Sequence, residues 1–142
     1  MNLAPLADPA HPDRTLADLI EEIISDALPD SALPDRLYII PISNKPYFPA
    51  QVQPIIVDED PWLTTIERVS KTHHKCIALC WAPEPADHLL VADRFARMGC
   101  VVRIHNVVRG EGKIQFIAQG IRRVWIHQWL HRQPPLLANV TY

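Results

Sequence analysis

The sequence predicts an α+β domain that is mainly β, with a bent, barrel-like sheet of about six strands, one packed helix, and an amphipathic helix ahead of them. From residue 37 onward, short apolar segments of strand length fill most of the chain. Fourteen of the 142 residues are proline, which cannot donate to a sheet ladder and therefore favours short, interrupted strands. The apolar spacing of a helix occurs in two segments, Thr15–Leu28 and Trp62–Thr72.

The first helix is predicted over Thr15–Leu28, where apolar side chains recur at the i, i+3, i+4 spacing of one helical face. The face comprises Leu16, Leu19, Ile20, Ile23 and Ile24, then Ala27 and Leu28. Thr15 and Asp18 have the spacing of a capping box, and Pro29 ends the helix. An apolar stripe must be covered, so we expect this helix to pack on its own domain or to dock on a partner or second copy. Residues 1–36 then form an extension ahead of a domain at 37–142.

Two strands and a proline-rich turn are predicted within the stretch Leu37–Pro54, LYIIPISNKPYFPAQVQP. An apolar strand runs into Pro41-Ile42, crosses a polar turn, and resumes at Tyr47-Phe48-Pro49 before the apolar segment Val52–Val57. The prolines belong at strand starts, edges or bends, because they lack the N–H that a central strand needs. Two strands interrupted in this way favour a bent sheet over a plain hairpin.

The second helix is predicted at Trp62–Thr72, with Asp60 as its N-cap and Pro61 at the first helical position, where a missing N–H costs nothing. The next segment, Cys76–Trp81, is a continuous apolar run of strand length and is predicted to be a central strand. Prolines end this strand, and residues 83–93 are expected to form a loop.

The remainder of the chain is predicted to be mostly strand. Gly99–Val108 leads into a turn at Arg109–Gly112, whose glycines are expected to supply positive φ angles. Lys113–Ala118 then pairs back on the preceding strand. Gly120 interrupts the ladder as a bulge or bend would, and Arg122–Leu130 continues as a strand.

This order of segments resembles the N-terminal domain of Lon, the ATP-dependent protease, over about residues 37–142. The resemblance begins with the Pro-Ile and Phe-Pro pairs of Leu37–Pro54 and continues through three short motifs near the C-terminus. These are Gly110-Glu111-Gly112, Gln119-Gly120-Ile121-Arg122-Arg123 and Leu137-Ala138-Asn139-Val140. Two positions depart from the family pattern: Ser43-Asn44-Lys45 replaces an Arg-Asp pair, and Gln119 replaces an acidic residue.

The resemblance implies a compact, PUA-like β-barrel that precedes an ATPase module and a Ser-Lys protease module in a homohexamer. It implies a role in engaging damaged or tagged proteins before they are unfolded, by binding unfolded or tagged polypeptide segments. ATP and Mg²⁺ would act in the other modules, so we expect no cofactor in this chain. We also expect that the chain alone hydrolyses neither ATP nor peptide bonds.

The composition is that of an ordinary globular protein, with 48% hydrophobic residues and a net charge of -2. Three cysteines, an odd number, favour a reducing compartment over a disulfide framework. Residues 1–10 lack the pattern of a secretory signal, and no run of 18 apolar residues suggests a membrane span. We therefore expect a cytoplasmic location and no membrane partner.

Catalytic, cofactor and metal residues are not predicted. His73-His74, Cys76 and Cys80 come closest to a metal site, but two cysteines on one face of a buried strand are more often small buried hydrophobes. The sequence Gly110-Glu111-Gly112-Lys113 lacks the spacing of a phosphate loop and is interpreted as a hairpin turn.

Aromatic residues are the best candidates for binding polypeptide. On a regular strand, Trp125, His127 and Trp129 share one face. Tyr47 and Phe48, in the proline-flanked turn, form a second candidate of the same kind. The alternative interpretation is that these aromatic side chains are core residues accompanied by snorkelling arginines.

Three functions compete on the sequence alone. The leading one is recognition of unfolded or tagged polypeptide and assembly of a Lon-type protease. The second is a standalone PUA-like module that binds nucleic acid, because residues 94–142 carry eight basic residues and a single acid, Glu111. The third is scaffolding, in which the helix at Thr15–Leu28 mediates self-association.

Overall fold

The computed structural model describes residues 15–25, 33–43, 46–82 and 97–142. The elements in chain order are α1 (Leu16–Ser25), β1 (Arg36–Ile42), β2 (Val52–Asp58), α2 (Glu59–Ser70), β3 (Cys76–Trp81), β4 (Met98–Gly110), β5 (Lys113–His131) and β6 (Leu137–Thr141). The loop expected at residues 83–93 and the last three residues of the first predicted helix lie outside the described residues. None of the helices in the described ranges has the length and apolar character needed to cross a bilayer.

The six strands form one partly closed barrel. Their order is β2-β5-β4-β3-β1-β6, and β6 also pairs with β5, which closes a ring of five strands. Strand β2 pairs with the first half of β5, whereas β6 pairs with its second half. The β1–β3 pair is parallel, and the other pairings among the described strands are antiparallel. The predicted mainly-β, barrel-like fold class is confirmed.

The barrel interior holds the main hydrophobic core. Five consecutive residues of β3, Cys76–Cys80, are buried, which confirms that this apolar run is a central strand. Helix α2 places Trp62, Ile66 and Val69 on the same core. Asp60 (φ -102°, ψ 119°) and Pro61 (φ -100°, ψ 17°) are not helical and form a kink, so the regular helix begins at Trp62. The predicted N-cap at Asp60 with Pro61 at the first helical position is therefore wrong, because the element starts after Asp58 and is interrupted at these two residues.

The end of α2 and the β4–β5 turn differ in detail from the predictions. Thr72 lies beyond the helix and its hydroxyl donates to the Val69 carbonyl at 2.7 Å. In the turn, Glu111 (φ 52°) and Gly112 (φ 75°) adopt positive φ, whereas Gly110 pairs with Lys113 inside the ladder. A two-residue hairpin turn with positive φ at both central positions leaves Gly110 in the strand.

Gly120 marks the predicted bulge in β5. Val102 pairs with Gly120 and Val101 pairs with Arg122, so Ile121 is the extra residue. The Phe48–Gln51 turn lies directly on this position: the Gly120 N–H donates to the Gln51 carbonyl at 2.8 Å. A Cβ added to Gly120 would lie 2.5 Å from the Phe48 carbonyl oxygen, so the glycine lets the turn approach the sheet.

Helix α1 packs on its own domain, one of the two expected arrangements. Leu19 is buried against Ile117 of β5, and Leu16, Ile20 and Ile23 pack beside them with Val52 and Val108. The side chain of Ile24 lies outside the described part of the chain. The predicted capping box forms, since the Thr15 N–H donates to Asp18 Oδ2 at 3.1 Å and the Asp18 N–H donates to Thr15 Oγ1 at 3.2 Å.

Candidate functional site

Four large apolar side chains are exposed at one end of the barrel, and we call them the apolar surface: Phe48, Trp81, Met98 and Trp125. Their exposed fractions are 50%, 37%, 38% and 50%. Met98 is paired with Trp125 across β4 and β5, and Cys80 is paired with Gly99. Continuing that register by one residue brings Trp81 opposite Met98. Directly paired residues share a face of the sheet, so the three side chains form a row across β3, β4 and β5.

Phe48 joins this row from the proline-rich turn. A depression of about 40 Å³ is lined by Phe48, Trp81 and Met98, with Gly99 and Arg123 among its other lining residues. A Cβ on Gly99 would lie 2.6 Å from the Leu79 carbonyl oxygen and 2.7 Å from Cys80 Sγ. Strands β3 and β4 are therefore closely packed here, and no side chain from position 99 separates the exposed groups.

The predicted triad of Trp125, His127 and Trp129 does not share one face. Ile126 pairs with Val140, and Gln128 pairs with Asn139, so the ladder between β5 and β6 shifts by one residue at His127. Successive strand residues point to opposite faces of the sheet. The extra residue at His127 therefore moves every later side chain of β5 to the face opposite the one expected for a regular strand. Trp125 and His127 are exposed, whereas Trp129 is partly buried and packs against the core.

The two aromatic residues of the proline-rich turn, Tyr47 and Phe48, lie in different environments. Tyr47 is buried, in agreement with the alternative interpretation of the aromatic residues as core residues: its ring joins the core and its hydroxyl donates to the Ala118 carbonyl at 2.6 Å. Burial raises the pKa of Tyr47 to about 12. Phe48 is exposed, and its N–H donates to Gln51 Oε1 at 2.6 Å, which fixes the turn. Tyr47 thus supports the turn from inside while Phe48 faces outward.

Trp81 and Met98 were not singled out from the sequence. Trp81 ends the apolar run Cys76–Trp81, and its position just before Pro83 is a signal that it lies at the strand end, where burial is incomplete. Met98 becomes significant only through its pairing with Trp125. That long-range register has no local sequence signal.

The basic C-terminal region is partly neutralised within the chain. Arg109 forms an ion pair with Glu59 at 3.2 Å, and Lys113 forms one with Asp58. Arg103 is buried, and its Nε donates to the His74 carbonyl at 3.1 Å. Among the described basic residues of this region, at least Arg103, Arg109 and Lys113 are therefore engaged by their own domain, which weakens the case for one continuous cationic patch.

The cysteines are buried free thiols. Burial raises the pKa of Cys80 to about 12 and that of Cys100 to about 11, so both stay protonated at neutral pH. His74 Nδ1 accepts the Cys76 N–H at 2.9 Å. Within residues 15–25, 33–43, 46–82 and 97–142, no three His, Cys, Asp or Glu side chains converge as metal ligands.

The fold is that of a Lon N-terminal domain. The chain resembles the N-terminal domain of Mycobacterium avium complex Lon protease with a TM-score of 0.56 and 23% identity, over 75% of this chain and 53% of that one. It resembles a Lon N-terminal domain protein from Xanthomonas campestris with a TM-score of 0.57 and 19% identity, over 75% and 58% of the two chains.

Residues 36–142 match the family model of the ATP-dependent protease La (LON) substrate-binding domain, and the chain belongs to this family. It is 35% identical over 113 residues to Lon protease 2 of Hydrogenovibrio crunogenus, covering 80% of this chain. It is 30% identical over 125 residues to the Lon protease of Magnetococcus marinus, covering 83% of this chain. The matches span 13% and 16% of those relatives. The resemblance found in the sequence is confirmed.

Proposed function

We propose that this domain binds unfolded or damaged polypeptide through the apolar surface and serves a Lon-type protease as a non-catalytic recognition module. The observation that carries the proposal is the row of Trp81, Met98 and Trp125 on adjacent strands, joined by Phe48. Exposed apolar side chains that cluster in this way are typical of sites where proteins interact. The family to which the chain belongs is described as a substrate-binding domain.

The chemistry of the apolar surface suits a partner of variable sequence. Tryptophan and phenylalanine offer large, rigid contact areas at low cost in conformational entropy. Met98 is flexible and polarisable, so it adapts to side chains of different shape. Because unfolded chains expose apolar residues that folded proteins bury, such a surface distinguishes unfolded polypeptide from folded protein.

We propose that the domain works in the cytoplasm as part of a homohexamer, with ATP and Mg²⁺ acting in separate ATPase and protease modules. The predicted boundary between residues 36 and 37 moves by one residue, because Arg36 already pairs with Asn139 of β6. We do not extend the proposal to nucleic acid, because Arg103, Arg109 and Lys113 are engaged within the domain.

Fluorescence anisotropy with labelled, reduced and carboxymethylated α-lactalbumin tests the proposal, since this probe cannot refold. We expect Trp125→Ser and Met98→Ser each to weaken binding by about tenfold, the usual effect of removing a central apolar contact. Val107→Ser is the matched control, because Val107 is also exposed (39%) but lies nine residues from Met98 along β4. Equal affinities for all four proteins, or no binding by the unsubstituted chain, would contradict the proposal.

A further inference from the structure

Strand β2 borders a groove and has one neighbour, β5, among the described strands. The groove has a volume of about 420 Å³. Five consecutive β2 residues, Gln53–Val57, line one side, and Pro41–Ser43 at the end of β1 lines the other. Pro46 and Tyr47 line its remaining wall and also line the depression in the apolar surface. The groove and the apolar surface therefore meet at these two residues.

The hydrogen bonds on both sides of β2 show which backbone groups face the groove. The Gly120 N–H donates to the Gln51 carbonyl at 2.8 Å, and the Glu59 N–H donates to the Gly112 carbonyl at 2.9 Å. The register between these bonds is unbroken from Val52 to Asp58. Alternate residues of an antiparallel strand bond to the same neighbour, so the odd-numbered residues of β2 bond to β5. The Pro54 carbonyl and the Ile56 N–H and carbonyl point away from β5.

The opposite wall offers little for main-chain pairing. The Ala82 N–H donates to the Ile42 carbonyl at 2.9 Å, and the Ile39 N–H donates to the Leu136 carbonyl at 3.0 Å. By the same alternation, Pro41 is the β1 residue whose main chain faces away from β3, and proline has no N–H to donate. The β1 strand therefore presents no N–H to the groove, whereas β2 presents the N–H of Ile56, which has no backbone partner among the described residues.

We infer that an extended segment of the substrate polypeptide binds in this groove as an added strand on β2, with hydrogen bonds to the Pro54 carbonyl and to both backbone groups of Ile56. The inference rests on the proposed function and specifies how the polypeptide is held. Outward N–H and C=O groups at strand spacing are complementary to another polypeptide main chain. Main-chain pairing is independent of side-chain identity, so it suits a substrate of variable sequence. Because Tyr47 lines both the groove and the depression in the apolar surface, apolar residues of the bound segment reach the apolar surface past Tyr47.

Substitution of Ile56 tests the inference, with reduced and carboxymethylated α-lactalbumin again as the probe. Ile56→Pro removes the outward N–H and leaves the ladder with β5 intact, because Pro54 already occupies an equivalent outward position. We expect this variant to bind about fivefold or more weakly, the effect of one lost main-chain hydrogen bond. Ile56→Ala is the matched control: it shortens the same exposed side chain but keeps the N–H, and we expect affinity within about twofold of the unsubstituted chain.

Amide hydrogen exchange in the unsubstituted chain provides a second measurement that does not depend on a variant folding. At saturation with the probe, we expect exchange of the Ile56 amide to slow about tenfold or more, whereas the Val57 amide, already bonded to β5, changes little. An unchanged Ile56 amide, or equal binding by Ile56→Pro and Ile56→Ala, would overturn strand addition while the proposed function stands. If the unsubstituted chain does not bind the probe, the proposed function itself fails.

Discussion

Gly120 is the residue on which the position of Phe48 depends. A Cβ at this position would meet the Phe48 carbonyl oxygen at 2.5 Å and Pro49 Cα at 3.2 Å. Both contacts are with backbone, which cannot rotate away as a flexible side chain can. The glycine therefore couples the bulge in β5 to the exposed aromatic ring of the turn.

Gly120→Ala is expected to lower the free energy of unfolding by about 1–3 kcal/mol, because the turn must shift to accommodate the methyl group. It should also weaken polypeptide binding by moving Phe48. Urea titration and the anisotropy assay measure the two effects. Gly112→Asn is the control, since Gly112 has open space around it and asparagine tolerates its positive φ. A Gly120→Ala protein as stable as the unsubstituted chain would show that the turn is not held against β5.

The buried thiols predict how stability changes at alkaline pH. Burial raises the pKa of Cys80 from 9.0 to about 12 and that of Cys100 from 9.0 to about 11. A raised folded-state pKa stabilises the folded chain fully below pH 9.0, and this contribution is lost as the pH rises through the folded-state values. We expect the free energy of unfolding to fall above pH 9.0, by at most about 1.4 kcal/mol per pH unit for each thiol.

Urea titrations at a series of pH values between 8 and 10.5 measure this dependence. Burial also raises the pKa of Cys76. Cys80→Ala removes one of the three thiols, so the slope of its unfolding free energy against pH should be shallower whatever its stability at neutral pH. Parallel slopes for the two proteins would mean that the Cys80 thiol is not the group whose titration destabilises the fold.

One small hydrophobic cluster holds helix α1 against the barrel. Leu19 and Ile117 are its buried members, surrounded by partly buried neighbours on α1, β2 and β4. Leu19→Ala is expected to lower the free energy of unfolding by about 2 kcal/mol, the lower end for a buried leucine, because the cluster is small and open to solvent. Ala17→Ser, on the exposed face of the same helix, should change it by less than about 0.5 kcal/mol.

Thermal and urea unfolding of the two α1 variants measure this contribution, and no difference between them would show that α1 does not pack stably on β5. Analytical ultracentrifugation of a chain from which residues 1–32 are deleted tests the separate prediction that the helix mediates self-association. An unchanged oligomeric state would remove that role.

Individual elements were predictable because their signals are local. The capping box of Thr15 and Asp18, the apolar run Cys76–Cys80 and the bulge at Gly120 all depend on residues within a few positions of one another. The sequence could not predict which side chains of β5 beyond residue 126 face the core, because the bulge at His127 arises from pairing with β6. Phe48 and Trp125 were predicted from the sequence as polypeptide-binding residues and are exposed, whereas the grouping of Trp81 and Met98 with them depends on the register between strands.

At the scale of the whole molecule, the distribution of charge separates the competing functions. The net charge is -2, and Glu59 and Asp58 pair with two of the basic residues near the β4–β5 turn. The four members of the apolar surface are uncharged, and Arg123 is the charged residue that lines the depression between Phe48, Trp81 and Met98. Binding there should be governed by burial of apolar area and should depend little on electrostatic attraction.

We therefore expect the affinity for unfolded polypeptide to change by less than about twofold between about 50 and 500 mM salt, conditions that strongly screen exposed charges. Calorimetry should show a negative heat-capacity change on binding, the marker of apolar burial. The control is a single-stranded oligonucleotide titrated under the same conditions. Tight oligonucleotide binding that falls steeply with salt, together with weak polypeptide binding, would favour the nucleic-acid alternative.

Closure of the ring makes the order of synthesis matter. Strand β1 pairs with β6 at Arg36 and Asn139, about a hundred residues apart in the chain, and β5 also needs β6 to complete its second half. At a translation rate of about 5–20 residues per second, β1 waits roughly 5–20 s for this partner. Until β6 emerges, β1 and the second half of β5 have open edges, so the partly synthesised domain exposes the kind of apolar strand that we propose it binds in other chains.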